Sequence, residues 1–371
     1  MGKKSFQKIA STIRSHKKIF LAILIVFIIT GSLISFLLIN RYVVPADYDV
    51  SLSEPIYTSS NIPIGVAVEP YKLKSSENYK TLATTHFNSF TPENVMKMGP
   101  IHPQEGEYNW EDADFLVEYA ENNSMQIHGH CLVWHEQLPD WMENYDGTSQ
   151  DWKNMLKLHI QTVVNRYKDN ITSWDVVNEA FLSHDYRDTI WYEHIGADYI
   201  KYAFQWAHEA DPDASLYYND FSLCTNIPKL DFTVEKLGEL IGEGVPIHGL
   251  GFQAHLTSQS FKYDIIVDAI NKVNQLGIDI RVSELDISMN LLGCYQKYTD
   301  YICKKQQEFY SDVVRAFSKA DSLTGITLWG IHDAGSWIRY FRGLDWPLLF
   351  DEEFNPKPCA LSFQEALIQY T

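Results

Sequence analysis

Eight short apolar runs punctuate the chain after residue 60, each closing on polar or aromatic side chains. They fall at 62–68, 89–91, 125–134, 171–178, 215–219, 249–255, 279–285 and 325–330. Runs of this length, rich in β-branched and aromatic residues, predict buried strands. Longer stretches with helical spacing lie between them, at 152–167, 192–210, 232–240, 263–275 and 299–320. Strand and helix alternating in this way predict βα units around a parallel sheet. Eight of them favour an α/β fold of one kind, a closed (β/α)8 TIM barrel, over an open doubly wound sheet. No GxGxxG or Walker-type loop follows any strand, which removes the usual nucleotide signatures.

Two runs stand out by what they deliver. In 171–183 the apolar residues Ile171, Trp174, Val176 and Val177 stop abruptly at Asn178-Glu179. In 279–286 a similar strand presents Glu284. Carboxylates so distant in sequence can meet only if their strands share a sheet or barrel. A barrel builds its site at the C-terminal ends of its strands. Those ends offer Glu93, Asn94 and Lys97; His130, Trp134 and His135; Asn178 and Glu179; Asn219 and Asp220; Gln253 and His255; Glu284 and Asp286; and Trp329, His332, Asp333 and Trp337. One polar tip is ordinary, but so many together predict an active site.

The N-terminus departs from this pattern. The first eighteen residues hold six basic side chains and no acidic one, and 19–39 follows without a charge. A helix needs about 20 such residues to cross a bilayer. The expected organisation is a basic cytoplasmic tail (1–18), a transmembrane signal-anchor helix (19–39), a linker (40–60) and a catalytic domain (61–371). The basic flank stays inside, which puts the domain on the extracellular face of the plasma membrane. The alternative is a cleaved secretory signal and a secreted enzyme. Against it, the apolar run exceeds the roughly 7–15 residues usual for a signal, and 44–46 makes a poor cleavage site.

The chain is long enough, at 371 residues with 45% hydrophobic side chains, to bury a full core. Its net charge is −18, and the basic tail makes the remainder more acidic still. Nucleic acid is therefore a poor partner, whereas a neutral sugar polymer is not repelled. Five scattered cysteines make neither a disulfide scaffold nor a zinc cluster, although Cys294 and Cys303 could close a short loop in an oxidising exterior. His128, His130 and His135 cluster without an obvious further ligand, so no metal or cofactor is expected.

Glycosidic hydrolysis needs one carboxylic acid to protonate the leaving oxygen and one carboxylate on the opposite face of the sugar. Glu179 and Glu284 are the pair best placed for it. At about 5–5.5 Å apart they would retain configuration, and at about 6.5–9.5 Å they would invert it. Trp134, Trp329 and Trp337 offer flat faces to sugar rings.

On its motifs the chain resembles glycoside hydrolase family 10, the endo-β-1,4-xylanases, over residues 61–368. The matching segments are TPENVMK (91–97), GHCLVWHEQLPDW (129–141), WDVVNEA (174–180), YYNDF (217–221), GLGFQAHL (249–256), VSELDI (282–287), LWGIHDAGSW (328–337) and PLLFDEEFNPKP (347–358). The resemblance implies a monomeric barrel acting on xylan and xylo-oligosaccharides by retaining hydrolysis. It implies Glu179 as acid/base and Glu284 as nucleophile, with His255 and Asp286 hydrogen-bonding around the latter. Glu93, Asn94, Lys97, His130, Trp134, Asn178, Gln253, Trp329 and Trp337 match sugar ligands. Asn178 matches the residue that contacts the 2-hydroxyl of the attacked sugar, and Trp337 lies in the loop that discourages a hydroxymethyl group. Two positions depart from the family pattern. His128 stands where many members have arginine, and Phe221 where many have tyrosine. The barrel and carboxylate pair alone would serve β-1,4-glucan or aryl glycosides equally well.

Overall fold

The computed structural model describes residues 44–371. Within them lie two compact units. The smaller comprises 44–47 and 294–304, tied together by an antiparallel bridge between Pro45 and Thr299 and by the Ala46 N–H donating to Tyr298 O at 2.9 Å. The larger, 48–293 and 305–371, contains all the strands.

These are β1 Ile64–Val68, β2 Ser89–Pro92, β3 Gln126–Val133, β4 Ser173–Asn178, β5 Ser215–Asp220, β6 Gly249–Phe252, β7 His255–Thr257, β8 Asp279–Ser288 and β9 Leu323–Leu328. Every pairing between them is parallel. Strands β1 to β6 pair in sequence order, β6 pairs with β8, β8 with β9, and β9 returns to β1 through Gly65↔Thr327. The sheet is a closed eight-stranded barrel, with β7 a short spur on the outer half of β8. Closure leaves no unpaired edge, and the strands are buried on both faces, hence their near-continuous apolar runs.

Two expected elements are interrupted, each for a backbone reason. The run 249–255 splits because Ala254 takes φ +56°, which ends β6 and turns His255 into β7. The helical stretch 192–210 is two helices, Ile190–Ile195 and Tyr199–Ala210, parted at Gly196 with φ +85°. Such left-handed conformations stop regular structure, and glycine adopts them without a Cβ penalty. Helix Ser149–Tyr167 starts at a capping box in which Thr148 and Asp151 each satisfy the other's backbone N–H.

Part of the stretch expected as a linker is docked. Ile56 is fully buried, Gln364 donates to Glu54 O at 3.1 Å, and Ser60 Oγ lies 2.9 Å from Thr371 Oγ1. The expected anchor at 19–39 lies outside the described residues. Among the described residues no helix is long and apolar enough to cross a membrane.

Candidate active site

Strand β8 carries Glu284 to the C-terminal rim, where it is buried between two donors. Asn219 Nδ2, from β5, donates to its Oε1 at 2.7 Å, and His255 Nε2 lies 3.1 Å from its Oε2. The other nitrogen of His255 forms an ion pair with Asp286 Oδ2 at 3.0 Å, and the same oxygen accepts the Trp337 indole N–H at 2.7 Å. Burial alone would pull the His255 imidazole down, but the Asp286 and Glu284 carboxylates raise it to about 10. Burial alone would push Glu284 up, but the His255 hydrogen bond and the nearby His130 carry it below the ordinary glutamate value. The Glu284 carboxylate is therefore held ionised although it is buried.

Glu179 leaves β4 with φ +60°, a left-handed backbone that costs a branched or long side chain about 1–3 kcal/mol. Its N–H donates to Asn219 O at 2.9 Å and its carbonyl accepts from Arg187 Nε at 2.8 Å, which pins the turn. Its carboxylate is only half-buried and accepts from neutral amides, Gln253 Nε2 at 3.0 Å and Asn178 Nδ2 at 3.3 Å. The two glutamates thus sit in contrasting settings, one clamped by a cation and the other reached by amides.

Asn219 links them, a role not legible in its strand-end position. Its Oδ1 accepts from Ser283 Oγ at 2.6 Å, which fixes the amide so that Nδ2 serves both Glu284 and Asn178 Oδ1, the latter at 3.0 Å. Gly251 of β6 makes room for this amide, since a Cβ there would collide with Asn219 Oδ1. Asp175 is equally hidden. It receives His130 Nδ1 at 2.8 Å and His128 Nε2 at 3.0 Å, and these two imidazoles hold its carboxyl far below the usual range although burial opposes them. Two of the three histidines that cluster in sequence are therefore spent on one carboxylate, and the third, His135, lies 3.8 Å from Glu136 Oε1.

The remaining expected ligands fall into two groups by their contacts. Lys97 is buried with Nζ 2.9 Å from Asn94 Oδ1 and 4.7 Å from the centre of the Trp134 ring. Asn94 also donates to Glu69, and Glu93 lies 3.8 Å from Lys72 Nζ. Burial raises both Glu69 and Glu93. Trp329 stands edge-on to His130 at 5.2 Å and to His255 at 6.3 Å, and Trp337 lies 5.1 Å from His255. On the Glu179 side, Asp220 is buried against Lys229 Nζ at 2.6 Å and Tyr218 Oη at 2.6 Å. That ammonium lies 3.6 Å from the centre of the Phe221 ring, so a cation covers the ring at the position where a phenol was expected.

Two rim residues turn away. Asp333 is buried against Lys357 Nζ at 2.8 Å, and His332 stacks on Phe354 at 4.1 Å. Neither makes contact with the two glutamates, and both serve the packing of the C-terminal segment.

The family model described as Glycosyl hydrolase family 10 matches residues 52–366. Endo-1,4-beta-xylanase B of Thermotoga neapolitana is 38% identical over 311 residues, 83% of this chain and 89% of that protein. The beta-1,4-xylanase of Dictyoglomus thermophilum is 38% identical over 305 residues, 79% of this chain and 85% of that one. Among solved structures, native xylanase 10B from Thermotoga maritima superposes with a TM-score of 0.80 at 39% identity, covering 85% of this chain and 97% of that one. Xylanase 10B from Thermotoga petrophila, in complex with xylobiose, gives 0.81 at 39% identity, covering 87% and 99%. A closed barrel with two glutamates at its rim, matched along most of its length by this model and these relatives, belongs to glycosyl hydrolase family 10.

Proposed function

We propose that the protein is an endo-1,4-β-xylanase that cleaves xylan with retention of configuration, Glu284 acting as nucleophile and Glu179 as acid/base. The observation that carries the roles is the contrast in surroundings. Glu284 is clamped by the His255 imidazolium and the Asn219 amide, whereas the Glu179 carboxylate is hydrogen-bonded by neutral amides and half-buried. A carboxylate kept ionised suits attack on the anomeric carbon, and one hydrogen-bonded to neutral amides suits carrying a proton.

In the first step Glu179 gives its proton to the leaving oxygen while Glu284 forms a bond to the anomeric carbon. In the second, Glu179 takes a proton from water, which displaces Glu284 from the same carbon. Asn178, held by Asn219 and Gln253, is placed to bond the 2-hydroxyl as charge develops. The relatives' names and the xylobiose complex support the substrate class. Product analysis on xylan, β-1,4-glucan and xylo-oligomers, with NMR of the anomer first released, tests the reading. An α product from a β-xyloside, or release of single sugars only from chain ends, would overturn it.

We also propose that 19–39 tethers the enzyme to the outer face of the membrane. The support is the charge-free run behind a basic flank. Mass spectrometry of the mature N-terminus in the native host decides it, and a protein starting near Asp47 would mean cleavage and secretion.

A further inference from the structure

The residue that follows β1, Glu69, lies outside every motif of the site. It is buried all the same, at 8% exposure. The register Val68↔Pro92 sets it beside the end of β2, where Glu93 and Asn94 begin the next loop. Glu69 stands at the N-cap of helix Pro70–Ser75, where a polar side chain often bonds its own helix, but it makes no such bond. Its Oε1 accepts from Asn94 Nδ2 instead. The other end of that amide carries two donors: Asn94 Oδ1 accepts from Lys97 Nζ at 2.9 Å and from Gln137 Nε2 at 3.0 Å. An ammonium can only donate, and an ionised carboxylate can only accept. The amide is thus held one way round, since turning it over would set NH2 against the ammonium and oxygen against the carboxylate. Lys97, so anchored, is buried with its Nζ 4.7 Å from the centre of the Trp134 ring.

We propose that Glu69 is a positioning residue for xylan binding: it fixes the Asn94 amide, which in turn holds Lys97 beside Trp134, so that the bound chain meets one fixed arrangement of hydrogen-bonding groups. This rests on the xylanase reading above. Groups already oriented cost less ordering when a ligand binds. Sugar hydroxyls need such directed partners, because each one both donates and accepts and turns to suit its neighbour. Glu69 also faces Glu93, Lys72 and Lys97, so a purely electrostatic role is the rival. The two roles make opposite predictions. Glutamine keeps the reach and an acceptor oxygen without the charge, whereas aspartate keeps the charge but is one methylene short.

The test measures kcat/KM on xylotetraose for the full chain and for Glu69→Ala, Glu69→Asp, Glu69→Gln, Asn94→Ala and Glu69→Ala/Asn94→Ala. Glu69→Ala and Glu69→Asp should each fall about tenfold, the scale of one well-placed hydrogen bond. Glu69→Gln should recover most of that loss. Once Asn94 is alanine, Glu69→Ala should cost nothing further, because the two residues act as one. Losses that add in the double variant would mean a general loosening of the fold, and they overturn the proposal. So does the reverse order, with Glu69→Asp active and Glu69→Gln impaired, which would make Glu69 a charge and nothing more. The contrast of glutamine with aspartate decides the matter even where Glu69→Ala does not fold. If the wild type cleaves xylotetraose and every Glu69 variant matches it, this inference fails alone. If the wild type cleaves no xylo-oligosaccharide, the xylanase reading fails and this inference with it.

Discussion

His255 Nε2 lies 3.1 Å from Glu284 Oε2, and the imidazole is charged because Asp286 faces its other side. With its value raised to about 10, His255 stays protonated across acid and neutral pH. The group is raised on folding, so the stabilisation it brings is complete below about pH 6.5. That stabilisation is lost as the pH climbs through 10. Glu284 is lowered, so it stabilises above its unfolded value and that contribution is lost as the pH falls through its folded one. The acid limb of kcat/KM should therefore lie below the ordinary glutamate value of about 4.3. His255→Asn should move that limb upward and lower kcat/KM at pH 7 by about 10²-fold, the scale of one preorganised donor. A pH–rate profile of both proteins checks it, and an unmoved limb would sink the assignment.

Asn219 touches no solvent, and its amide bonds both Glu284 and Asn178. Asn219→Asp would put a second negative charge beside Glu284 and remove the donor to Asn178. The nucleophile should then hold its proton to higher pH, and kcat should fall by more than about 10²-fold. Asn219→Ala should lose activity without the upward shift, because it adds no charge. Profiles of the two variants separate the electrostatic effect from the positional one.

Most of the barrel was legible because its strands are buried on both faces and end where polar side chains begin. Glu93, His130, Glu179 and Glu284 lie at those junctions, and the fold brings their strands round to one rim. What sequence hid was the layer beneath. Asn219 read as one more polar strand tip and Asp175 as an ordinary strand residue, since their partners Ser283, His128 and His130 come from other strands. Asp333 read as a rim residue, because Lys357 is distant in sequence and only the fold shows that it neutralises the carboxylate. Backbone interruptions were also invisible: Ala254 carries no sign of its φ of +56°.

That buried pair gives a stability prediction. Lys357 Nζ lies 2.8 Å from Asp333 Oδ2 and also donates to Trp346 O at 3.1 Å, with both side chains shielded from solvent. Burial already raises Asp333 to about 6, so in Lys357→Met the carboxyl is left buried without its cation and must take up a proton, which should cost about 3–5 kcal/mol. Adding Asp333→Leu should recover a good part of that. Urea unfolding of the two variants measures it, and a Lys357→Met loss under about 1 kcal/mol would show that water or relaxation replaces the partner.

Trp329 and Trp337 flank His255, where on the proposed xylanase reading they narrow the space above the attacked sugar. A hydroxymethyl group there should meet an indole. The preference for xylo- over matched cello-oligomers should be roughly 10–200-fold per subsite in kcat/KM, the scale of one small group in a pocket. Equal or reversed values would return the substrate class to β-glucan.

The contrast between the clamped Glu284 and the amide-bonded Glu179 predicts opposite mutant behaviour. Glu284→Ala removes the nucleophile, so activity should fall by several orders of magnitude on every β-xyloside, whatever its leaving group. Glu179→Ala removes only proton donation in the first step, so a dinitrophenyl xyloside, whose leaving group needs no proton, should still form the glycosyl-enzyme. That intermediate should then persist, because the same change removes the base that activates water. Azide needs no base. In Glu179→Ala it should enter the vacated space, attack the α-linked intermediate from the opposite face and release the β-xylosyl azide. In Glu284→Ala azide should attack the β-xyloside directly and give the α-azide. Pre-steady-state release of dinitrophenolate, with NMR of the azide adducts, reads both outcomes. Exchanged behaviour would mean that the two roles are reversed, and the buried, cation-clamped carboxylate would then be the proton carrier despite its lowered pKa.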